Sequence, residues 1–131
     1  MPIRIKRLIK SERGQSIVEF ALVVPIFLFM ITGVVDLSRA IYTQMQLNFL
    51  VQEAVRLGGT GSSDTEIADY VSDNFQGDRS RLRCAITPGQ ASRKPGDYMK
   101  VTVNYSMSYV TPLLSATPLS DVSVESTIRM E

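Results

Sequence analysis

Histidine is absent from the 131 residues. That removes the commonest general base and the commonest metal ligand. Ser–His and Cys–His catalysis are excluded, as are histidine-based zinc sites. A single cysteine, Cys84, leaves no intramolecular disulfide framework. It reads as a reduced, half-buried strand residue, with an intermolecular disulfide as the alternative. The formal net charge of only +1 gives no electrostatic case for a nucleic-acid partner. Residues Gly58-Gly59-Thr60-Gly61-Ser62-Ser63 contain glycines but lack the Lys-Ser/Thr ending of a phosphate loop. No convergent set of acids and nucleophiles stands out. The chain therefore reads as a non-enzyme with no cofactor and no metal. Repeats and low-complexity segments are also missing.

Charge is missing from one stretch in particular. Phe20 to Val35 is sixteen residues without Asp, Glu, Lys or Arg. Ile17 and Val18 extend the apolar run backwards past one acid, Glu19. As a helix, Ile17 to Val35 would span about 28 Å, close to the hydrocarbon thickness of a bilayer. The alternative, a buried core helix, needs a surrounding domain that this short chain has no room to supply. Arg4, Lys6, Arg7, Lys10 and Arg13 stand before the run against Glu12, a net +4 over residues 1–14. Such a basic flank stays on the cytoplasmic side and sends the C-terminal part outward. Pro25 is expected to bend the helix, which membrane helices tolerate. Gly33 reads as close packing of small residues.

Helical spacing continues beyond Asp36, with Leu37, Ala40, Ile41, Leu47, Val51, Ala54 and Val55 apolar and polar positions between. Gly58-Gly59 is the expected stop. A continuous helix from Gln15 to Leu57 would be about 65 Å long. Glu19 has two readings on position alone. It is either a functional acid with a partner or an acid solvated in the headgroup zone.

The residues around it read Arg13-Gly14-Gln15-Ser16-Ile17-Val18-Glu19-Phe20. This resembles a prepilin peptidase site: basic leader, glycine at the cut, acid at the fifth mature position, then an apolar helix. Phe20 follows the acid as an aromatic does in Flp pilins. The stretch Glu12 to Pro25, continuing through Asp36-Leu37-Ser38-Arg39-Ala40, is similar to the N-terminus of TadE-like minor pseudopilins of tight-adherence pili. Ile128-Arg129-Met130-Glu131 resembles the C-terminal strand ending of that family. Main type IV pilins usually begin the mature chain with phenylalanine, where this chain has Gln15.

The resemblance implies cleavage between Gly14 and Gln15. It also implies a single-pass protein of the bacterial inner membrane, N-terminus cytoplasmic. Its partners would be a prepilin peptidase, the major Flp pilin, other minor pseudopilins, the assembly platform and membrane lipid. The chemistry is coherent. A new ammonium at Gln15 is costly to bury unpaired, and Glu19 lies one helical turn away, in its own chain or beside a neighbour's N-terminus. Two rivals stand: an uncleaved membrane protein whose outer domain binds an envelope or secretion partner, and a secretory signal cut after Ser38-Arg39-Ala40.

The rest of the chain predicts a small fold. Ser63 with Glu66 forms a capping box for a helix over about 64–75, with Ile67, Tyr70, Val71 and Phe75 facing inward. Its acids Asp64, Glu66, Asp69 and Asp73 read as a solvated face rather than a cation site. Strands are expected at 82–87, from Met99 to Tyr109 and from Val122 to Met130, from their period of two. Thr111 to Leu119 is a proline-punctuated apolar loop, whose leucines read either as a subunit contact or as tucked under the sheet. The fold class is α+β. A long N-terminal helix, transmembrane first and amphipathic second, packs on a small antiparallel sheet of about three strands with one short helix. The expected divisions are leader 1–14, transmembrane helix 15–36, amphipathic extension 37–57 and outer domain 58–131.

Overall fold

A computed structural model describes residues 12–131. Most of the basic leader, residues 1–11, lies outside the described residues. The architecture is α+β as expected: α1 (Glu12–Gly59), α2 (Asp64–Asn74), β1 (Leu82–Thr87), β2 (Tyr98–Ser106), a single-turn α3 (Pro112–Ser115) and β3 (Asp121–Arg129). The sheet is antiparallel in the order β1-β2-β3. Its register sets Cys84 opposite Val103, and Val103 opposite Val124.

The helix α1 runs through Pro25 without interruption and begins upstream of Gln15. Its end differs from expectation. Gly58 and Gly59 are still helical, and the stop is Gly61, at φ +93°. Ser62 N–H donates to Leu57 O at 3.1 Å and Gly61 N–H to Gly58 O at 3.1 Å. That is a Schellman ending with glycine in the left-handed position. Gly58 has another duty. A Cβ there would fall 1.9 Å from Met99 Cε, so its lack of a side chain lets β2 seat against the helix.

The core lies between the second half of α1, one face of the sheet and α2. Leu47, Leu50, Val51, Ala54 and Val55 come from α1, and Ile67, Val71 and Phe75 from α2. Met99, Val101, Val103 and Val124 come from the sheet. Each such side chain contributes about 1.5–3 kcal/mol by leaving water. The capping box at α2 is formed on both sides: Glu66 N–H donates to Ser63 Oγ at 3.3 Å, and Ser63 N–H to Glu66 Oε2 at 2.9 Å. Tyr70 is half-buried, and Phe75 meets Tyr105 edge-on at 4.8 Å between ring centres. Two of the helix acids are engaged by neighbours. Asp64 takes the guanidinium of Arg93 and the Gln90 amide, and Asp73 pairs with Arg79 at 3.3 Å.

β2 is shorter than the alternation suggested. It ends at Ser106, so Met107 and Tyr109 are not strand residues. The chain leaves the ladder there because it is drawn to the helix: the amides of Val110 and Thr111 bond a side chain of α1 instead of β3.

Candidate functional site

The first half of α1 buries nothing. Its most apolar 18-residue window has no share inside the fold, and the helix is long and apolar enough to cross a membrane. Phe20 is 70 % exposed, and Ile17, Leu22, Ile26, Phe27 and Met30 are exposed with it. An apolar surface this long is unstable in water and demands lipid or other helices.

At its head, the described helix already covers Gly14 and Gln15. Gln15 Nε2 donates to Glu19 Oε1 at 3.1 Å, and Glu19 and Phe20 are both exposed. The Glu19 carboxylate thus folds back one turn onto residue 15, as i to i+4 geometry allows. Glycine at 14 weakens the helix there by about 1 kcal/mol relative to alanine.

The sequence reading gave Asp36 no role of its own, placing it at the end of the apolar run and within the TadE-like stretch. Its side chain is 0 % exposed. Its carboxylate accepts Thr111 N–H at 2.7 Å and Val110 N–H at 3.2 Å, with Arg39 at 3.8 Å. Among the described residues Asp36 and Thr111 are the buried polar ones, and they meet. Two backbone donors are what a carboxylate needs to leave water. The available signal was register. Asp36, Ala40, Thr43, Leu47 and Ala54 share one face at helical spacing, so the acid stands in line with the core stripe. Nearby, burial first and the Asp36 charge second push the Tyr109 phenol above its usual range.

The second half of α1 has a less polar back than its spacing implied. Leu37 and Ile41 do not join the core. With Tyr42, Met45 and Phe49 they are exposed, and Leu37 and Ile41 flank a groove shared with Asp121, Val122 and Ser123 at the start of β3.

Cys84 is half-buried on β1, and burial pushes its thiol up, away from thiolate reactivity. Among the described residues no group of three or more Cys, Asp or Glu is placed to hold a metal ion.

In comparisons with known proteins, residues 14–56 match the model of the family described as TadE-like protein. The match lies wholly within α1 and leaves the sheet unmatched. No curated protein and no solved structure matches the chain.

Proposed function

We propose, taking the TadE-like segment at residues 14–56 as the premise, that this chain is a minor pseudopilin serving assembly or structure of a Tad/Flp-type pilus. The observation that carries the reading is the unburied apolar first half of α1, headed by Gly14, Gln15 and Glu19. The basic flank keeps the N-terminus in the cytoplasm, and residues 15–36 span the inner membrane. The extension 37–57 and the domain 58–131 stand outside.

A prepilin peptidase then cuts after Gly14, where glycine offers no side chain to obstruct the cleft and weakens the turn that must open. The cut removes a net +4 and creates an ammonium at Gln15. Glu19, already folded over residue 15 in the precursor, neutralises it within the chain or across to a neighbour. The freed helix associates with the major pilin and other minor pseudopilins on the assembly platform. Catalysis has no part in this role. A secretory cut after Ala40 fits less well, because it would strip Asp36 from the amides it holds.

N-terminal sequencing of the mature protein tests the reading. A start at Gln15 supports it, a start at Met1 or Pro2 supports an uncleaved anchor, and a start at Ile41 supports a secreted domain. Glu19→Ala is expected to leave processing intact and abolish incorporation with pilin. Unchanged incorporation would remove Glu19 from the mechanism.

A further inference from the structure

The outer domain has two ends, and the chain path tells which one faces the membrane. Near the start of β2, Met99 packs beside Gly58, at the far end of α1. It then runs back along the helix, and Met107 and Ser108 line a groove with Val34 and Val35. The last two belong to the uncharged run. β3 returns outward, ending with Ile128 beside Gly59. The segment Met107–Ser120 is therefore the end of the domain nearest the apolar half of α1.

Asp36 fixes that segment in place through the Val110 and Thr111 amides. Asp36 is also the first charge after the apolar run, so a helix that places Ile17 to Val35 in hydrocarbon sets Asp36 at the bilayer boundary. The segment is held at that level.

Its composition and bonding suit the level. Met107 to Ser120 carries no Asp, Glu, Lys or Arg. Val110 is 70 % exposed, and Pro112 is exposed beside it. Tyr109 is a residue type favoured where lipid meets water. The backbone is largely satisfied from within. Met107 N–H bonds Ser120 O at 2.7 Å, Leu114 N–H bonds Thr111 O at 3.1 Å, and Thr117 N–H bonds Leu114 O at 3.2 Å. Ser120 N–H bonds Thr117 O at 3.2 Å, while Pro112 and Pro118 have no N–H to satisfy. A soluble loop can leave such groups to water, but a segment touching lipid cannot. Arg39, exposed one turn beyond Asp36, is placed for lipid phosphate.

We infer that the Met107–Ser120 segment is a second membrane contact, with Val110 and Pro112 seated at the headgroup–acyl boundary of the outer leaflet around the exit of α1. The inference rests on the reading that α1 spans the bilayer. It assigns the lipid surface, rather than a second copy of the chain, as what covers Val110.

The natural chain has no tryptophan, so one introduced residue reports alone. The full chain carrying Val110→Trp, Phe27→Trp or Thr60→Trp is reconstituted in phosphatidylglycerol-containing vesicles with lipids brominated at shallow or deep positions. Phe27→Trp should be quenched by deep bromines and Thr60→Trp by neither set. Val110→Trp should be quenched several-fold more than Thr60→Trp, by shallow bromines above all. The quenching should persist in nanodiscs holding one copy. Quenching at 110 no greater than at 60, with 27 still quenched, overturns the contact and leaves the membrane span standing. Quenching at 110 that vanishes in one-copy discs assigns the surface to a second copy and overturns the lipid assignment. Absence of quenching at 27 removes the span and the contact together.

Discussion

The two halves of α1 are one continuous helix with opposite surroundings. From Ile17 to Val35 its apolar side chains stand in the open, whereas from Leu47 to Val55 a stripe of them is sealed under the sheet. The same residue types do different work on the two sides of Asp36. In the second half they hold the fold together. In the first they contribute nothing to the isolated chain and acquire their energy only from lipid or neighbouring helices. Apolar content alone does not separate the halves; what separates them is whether β2, β3 and α2 are there to cover them.

The sharpest way to break this comparison is to cut one leucine and one phenylalanine. Leu47→Ala is expected to destabilise the C-terminal domain by about 2–5 kcal/mol, read by denaturant unfolding in detergent. Phe27→Ala should leave that midpoint unchanged while weakening co-purification with pilin. Equal losses of domain stability would mean that the first half also packs on the domain.

At the boundary, Asp36→Ala leaves two amides without their acceptor. Hydrogen exchange at Val110 and Thr111 should accelerate roughly tenfold or more, while amides of β2 between Met99 and Val103 keep their protection. Uniform acceleration would make Asp36 a general stability residue rather than a local clasp.

Ser63→Ala removes the Oγ acceptor of the α2 capping box, leaving only the bond from the residue-63 amide to Glu66, and should cost about 1 kcal/mol, measured in the same unfolding experiment. The smallest effect belongs to the exposed Lys100–Glu125 pair across β2 and β3, at 3.2 Å. Lys100→Ala should shift stability by no more than about 1 kcal/mol, and less at high salt.

Much of this fold is written in local patterns. Alternation along residues 82–87, 99–105 and 122–128 found all three strands, and Ser63 with Glu66 found the start of α2. Periodicity also found the long helix. It misplaced the stop, because two adjacent glycines look like a terminator when one of them, Gly58, is there to admit Met99. It overran β2 by three residues because Met107 and Tyr109 keep the alternation after the ladder has ended. Asp36 was the hardest to see. Its partners are main-chain amides 74 and 75 residues away, and an amide has no letter in the sequence. Gly14 and Gln15, the residues proposed for cleavage, stand out in the sequence only as a motif.

The pairing of Asp36 with Val110 and Thr111 has a mechanical consequence. The C-terminal domain is joined to α1 at both ends of the shared length, by the clasp at Asp36 and by the close seat of Met99 on Gly58. A force drawing the helix along its own axis therefore cannot peel the sheet away from one end. It has to shear the clasp, the seat and the core between them at once, so the load is spread in parallel across the whole joint.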